Sequence, residues 1–112
     1  MRPWLAFLIL LGAAVLEAGG DAIVRRGLHG AVGPMARVGL IALGGVVLLA
    51  YGVTVNLPPW DFGRLLGIYV TLFFLVAQVI NVIAFGVTPS APIILGGALV
   101  IAGGLVMTFW KA

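Results

Sequence analysis

The chain has 112 residues, of which 63% are apolar and 8% charged, with a formal net charge of +3. A soluble domain carries a charged surface of about a quarter of its residues, so this composition assigns most of the exterior to lipid. The lack of cysteine excludes disulfides and thiolate chemistry, and the six basic residues, scattered singly or in pairs, form no patch of the kind nucleic acid needs.

A helix needs about 20 apolar residues to cross a bilayer, and four segments qualify. The first runs over about 4–24. Met1-Arg2 before an apolar run also fits a signal peptide, with Ala13-Ala14 and Ala18-Gly19-Gly20 as small residues for cleavage. Glu17 and Asp21 interrupt such a peptide, and the rest of the chain needs a membrane anyway, so the segment is expected to be a span. Arg25-Arg26-Gly27-Leu28-His29-Gly30 through Gly33-Pro34 is expected to close it. The second span covers about 38–57 and is closed by Pro58-Pro59-Trp60-Asp61. The third covers about 64–85, closed by Gly86-Val87-Thr88-Pro89-Ser90-Ala91-Pro92, and the fourth about 92–110, with Pro92 suited to a first helical turn. The expected fold is all-α, a single domain over 1–112 forming a four-transmembrane-helix bundle. The loops leave no room for a soluble domain, so any chemistry lies within or at the edge of the bilayer.

Four spans put both termini and the second loop on one side. Trp4, Trp60 and Trp110 then share that side, as residues that prefer the headgroup layer. Arg2, Arg64 and Lys111 fall there too, against Arg25, Arg26 and Arg37 on the other. Positive-inside bias normally fixes orientation, and here it is balanced. Either the charges are too few to steer, or the chain inserts both ways and pairs as an antiparallel dimer; the second is the sharper expectation.

Glu17 is the residue to explain. It lies about seven residues inside the expected span, about 10 Å deep at 1.5 Å per residue. An acid at such depth costs about 2.5–3.5 kcal/mol on insertion scales, and such acids mark ion or proton pathways. The structural alternative is a protonated carboxyl bonded to another helix. Asp21 and Arg25 follow at four-residue steps on the same face. Asp21 is most simply paired with Arg25; otherwise it forms the mouth of a path to Glu17. Gly12, Ala13, Ala14, Ala18, Gly19 and Gly20 keep this helix thin. Tyr69 and Tyr51, counted inward from their own spans, lie at other depths than Glu17 in one subunit, and an antiparallel partner would bring its tyrosines level with it. Either ring suits a carboxylate hydrogen bond or an organic cation. Gln78 and Asn81 suit cross-helix bonds more than substrate contact. Gly96-Gly97 and Gly103-Gly104 repeat at seven residues, a small-residue packing face expected at a dimer contact. His29 stands alone. No metal set, catalytic triad or phosphate loop is present in the sequence, so neither a cofactor nor an enzyme is expected.

These residues resemble a known family. Ala13-x-x-x-Glu17-x-x-Gly20 with basic Arg25 is similar to the first-helix motif of the small multidrug resistance transporters. Phe85-Gly86, Pro92, Gly96, Ala102 and Gly103 fall at that family's spacing, and the resemblance covers nearly the whole chain. Phe62-Gly63-Arg64 with Ile68-Tyr69 looks closer to the YnfA-like branch. The resemblance implies an antiparallel homodimer, or a pair with a paralogue, in the inner (plasma) membrane. That assembly would exchange protons for small organic cations at Glu17, with Tyr69 at the aromatic position. Two departures stand out. Thr71-Leu72-Phe73 replaces the glycine-rich kink of the third helix, and Asp21 replaces a small or neutral residue. A non-transporting assembly subunit and a small dual-topology ion channel are the alternatives, though the polar Thr/Phe/Ser cluster of the fluoride channels has no match in the third span.

Overall fold

Proline and one aspartate set where the helices begin. The structure, a computed structural model, describes residues 1–110; Lys111, counted above on the terminal side, lies outside the described residues. Helix α1 covers Pro3–His29, α2 Pro34–Val55, α3 Phe62–Phe85 and α4 Ala91–Phe109. Proline occupies the first turn of α1, α2 and α4, where its missing N–H costs nothing. The start of α3 is instead capped by Asp61, whose side chain accepts the Arg64 N–H at 3.1 Å. All four helices are long and apolar enough to cross a membrane, and the described residues contain no strand.

The largest boundary correction is at the end of α1. The segment Arg25 to His29, expected as a closing loop, is helical. Arginine and leucine favour helix, and the basic Arg26 and His29 suit the negative end of the helix dipole. Gly27 does not break the helix because it serves packing: a Cβ there would lie 2.9 Å from Ile41 Cγ1 and 3.3 Å from the Arg37 carbonyl oxygen. The chain finally turns at Gly30, whose N–H donates to the Arg26 oxygen at 2.8 Å. With 27 residues, α1 is about 40 Å long and reaches through the headgroup layers as well as the hydrocarbon. Gly86 ends α3 in the left-handed region, φ 65°, where glycine carries no Cβ penalty.

Three arginines do more than anchor an interface. Arg26 donates to the Ala84 carbonyl near the end of α3 (2.8 Å), Arg37 to Leu28 in the last turn of α1 (3.3 Å), and Arg64 to Met107 and Thr108 at the end of α4 (3.3 Å each). Each satisfies carbonyls left without a partner at a helix C-terminus. These links also fix the sides. Arg64 ties the start of α3 to the end of α4, and Arg26 ties the ends of α1 and α3, so alternate helices run in opposite directions.

The backbones of α1 and α2, of α1 and α3, and of α3 and α4 approach closely, and no other helix pair does so among the described residues. The helices therefore stand in a row, α2–α1–α3–α4, with overall extents of 53 × 34 × 19 Å. The expected bundle is thus opened out, with α2 meeting α3 through side chains alone, Tyr51 against Tyr69. Lipid makes this possible, because leaving Leu49, Ile83 and Phe109 exposed has no aqueous penalty in a bilayer. The core lies at the middle of the row, around Leu10, Ala13, Ala14, Val55, Leu65, Ile68 and Tyr69.

Candidate functional site

Small residues on α1 bring α3 close. Ala13 and Ala14 are fully buried and Ala18 nearly so, which lets the facing side chains of α3 reach across the contact. Tyr69, 3% exposed, uses that space, and its hydroxyl donates to Glu17 Oε1 at 2.8 Å. Tyr51 of α2 lies beside it, ring centroids 5.8 Å apart and planes tilted by 31°. On the other side Tyr69 stacks on Phe73 at 6.1 Å and 29°. The carboxyl of Glu17, half-buried, therefore meets an aromatic row drawn from two helices.

This contact overturns the expectation that Glu17 and Tyr69 lie at different depths in one chain. Counting inward from each helix start assumes that both helices start at one level. They do not. Phe7 of α1 meets Trp60, just before α3, edge-on at 5.8 Å, so α1 begins more than a turn outside α3. The residues from Phe7 to Glu17 then run alongside those from Trp60 to Tyr69. The added length at the other end of α1 also moves Glu17 to mid-helix, fourteen residues from Pro3 and twelve from His29, which is about 18–21 Å from either end. No partner chain is required for the Glu17–Tyr69 pair.

The second correction concerns Asp21. Arg25 does not neutralise it: its guanidinium carbon lies 6.0 Å from the Phe85 ring centroid, and no ion pair joins the two among the described residues. Asp21 instead lines a cavity of about 500 Å³ between α1 and α3, with Ala18 and Arg25 on its own side and Phe73, Gln78 and Asn81 opposite. The site residues thus fall into two neighbouring groups one helical turn apart. Glu17, Tyr69 and Tyr51 form one; Asp21, Gln78 and Asn81 form the other. Phe73 touches both, and sequence reasoning noted it only as bulk in place of a kink. Its four-residue step from Tyr69 was the available signal.

The glycines of α4 divide. Gly97 faces the Phe74 ring and Gly104 faces Thr71, both within the same chain, while Gly96 and Gly103 have open space where a Cβ would stand. The described residues hold no cluster of three or more His, Cys, Asp or Glu side chains placed to bind a metal. Comparisons with protein-family models, curated proteins and solved structures return no match.

Proposed function

We propose that this chain is a proton-coupled exporter of small organic cations in a bacterial-type inner membrane, acting as an antiparallel homodimer or paired with a paralogue. The observation that supports this reading most is the mid-helix carboxyl of Glu17 held by the Tyr69 hydroxyl at 2.8 Å. Such a carboxyl takes either a proton or a cation, and competition for it couples the two fluxes without ATP. The Tyr69 hydroxyl steadies the carboxylate, and the Tyr51 and Tyr69 rings offer π faces to a cation. The even split of basic residues, Arg2, Arg64 and Lys111 against Arg25, Arg26 and Arg37, supports insertion in both orientations.

The test is proton-driven uptake of guanidinium, quaternary ammonium and polyamine probes into proteoliposomes. Glu17→Gln is expected to abolish uptake while leaving folding and assembly intact. Tyr69→Phe is expected to weaken cation binding by about tenfold, the worth of one hydrogen bond to a charged group. Asp21→Asn, in the neighbouring cavity, is expected to be milder than Glu17→Gln. Coupled uptake by Glu17→Gln refutes the mechanism. Terminal reporter fusions read the orientation, and a single orientation of the wild-type chain refutes the antiparallel homodimer.

A second reading has its own support. A hydrogen bond between Glu17 and Tyr69 inside one chain is also what a structural helix–helix tie looks like in lipid. A non-transporting assembly subunit would lose stability in Glu17→Gln and bind no cation, which the same preparations distinguish.

A further inference from the structure

The cavity between α1 and α3 holds opposite charges that do not meet. Residues four apart on a helix normally pair, yet the Arg25 guanidinium turns to the Phe85 ring, 6.0 Å from its centroid. Asp21 is left facing about 500 Å³ of open cleft. Gln78 and Asn81 line the opposite wall, each amide offering both an acceptor and donors. The rest of the lining is apolar, with Ala18, Phe73 and Ala77 deeper in and Ile80, Phe85 and Val87 toward the mouth. The cleft is therefore amphipathic, and its polar groups carry both signs.

That chemistry discriminates among ligands. A simple cation attracted by Asp21 meets the Arg25 charge, and a simple anion attracted by Arg25 meets Asp21. A group bearing both charges satisfies both residues. Arg25 lies four residues from the end of α1 at His29, about 6 Å along the axis, at the level where α1 enters the headgroups. The molecules present there at high concentration are phospholipids.

We propose that this cleft binds the headgroup of an aminophospholipid. Its phosphate lies on Arg25, and its primary ammonium donates to Asp21 and to the amide oxygens of Gln78 and Asn81. Guanidinium is suited to phosphate by its planar donor fork. A primary ammonium has three donors for Asp21, whereas the trimethylammonium of a choline lipid has none. This assignment stands apart from transport at Glu17 and gives Asp21 a role of its own.

The experiment is lipid binding to the delipidated full-length protein in detergent, read by native mass spectrometry. The probes are ethanolamine, choline and glycerol phospholipids of identical acyl chains. The wild-type chain is expected to retain the ethanolamine lipid about tenfold better than either of the others, the worth of one charge-assisted hydrogen bond. Asp21→Asn is expected to erase that preference and Asp21→Glu to keep it. Arg25→Gln is expected to weaken all three phospholipids together. Arg2→Gln, at the opposite end of α1, is expected to change nothing. Soluble phosphoethanolamine is expected to displace the lipid at high concentration. Equal retention of the three lipids, an ethanolamine preference that survives Asp21→Asn, or soluble phosphoethanolamine binding where the lipid does not, overturns the proposal. Lipid retention is independent of transport, so a chain that moves no cation still tests it.

Discussion

Glycine joins two helix pairs in this molecule, and it does so differently at each. Between α1 and α2 it lets backbones meet. A Cβ on Gly44 would stand 2.5 Å from Val24 Cγ2, 2.9 Å from the Gly20 carbonyl oxygen and 3.1 Å from the Val24 nitrogen; one on Gly20 would stand 3.3 Å from the Gly44 oxygen. Between α3 and α4, glycine makes room for side chains. Gly97 receives the Phe74 ring, Gly104 receives Thr71, and Gly67 receives the end of Met107. The first contact is limited by two rigid helices, the second by groups that can turn. The same residue type therefore has unequal tolerance on the two sides of the row.

The sharpest way to break that comparison is Gly44→Ala. With backbone atoms in the way, α1 and α2 must separate, and a loss of about 2–3 kcal/mol of stability is expected, at the high end for overpacking. Unfolding in mixed detergent micelles measures it. A change under about 0.5 kcal/mol would mean that the two helices slide freely and that the contrast is false. Gly104→Ala is expected to cost less, about 1–2 kcal/mol, because Thr71 must turn and give up the hydrogen bond from its hydroxyl to the Val100 carbonyl, 3.3 Å. Gly67→Ala is expected to cost less than about 1 kcal/mol, since the unbranched Met107 side chain can move aside. The smallest effect belongs to Gly96→Ala and Gly103→Ala. Nothing lies within 4 Å of either added Cβ, so helix propensity alone acts and predicts a gain of about 0.5–1 kcal/mol. Gly96→Leu and Gly103→Leu sharpen the point. If a second copy covers this outer face of α4, leucine lowers the dimer fraction in cross-linking while the single chain still folds. An unchanged dimer fraction would place the assembly contact elsewhere.

The candidate site was legible in part. Glu17 announced itself, because an acid amid apolar residues has few explanations in a bilayer. Tyr69 was legible as a candidate but its partner within the chain was not, since that depends on the stagger of α1 past α3. Asp21 and Arg25 looked like a pair because their spacing allows one. Phe85, sixty residues beyond Arg25 in the chain, decided otherwise by offering its ring to the guanidinium at 6.0 Å. Gly20 was legible as part of a thin helix face, but Gly27 fell in the expected closing loop, so their seven-residue interval, the same as that of the α4 glycines, did not read as one packing face.

The sequence by itself determined that the helices number four, that they suit a bilayer, that they alternate in direction, and that one carboxyl lies inside a span. Those are one-dimensional properties: hydropathy summed over about twenty residues, proline and glycine at the breaks, and a charge counted along a helix. Only the tertiary structure decided that the helices stand in an open row, that Tyr69 holds Glu17 within one chain, that three arginines cap neighbouring helices, and that Asp21 faces a cleft. Each of these depends on axial stagger and helix rotation. Both are set by a few close contacts between small residues, here Gly20 on Gly44 and Ala13 and Ala14 along α3, and lipid, apolar everywhere, does not dictate them.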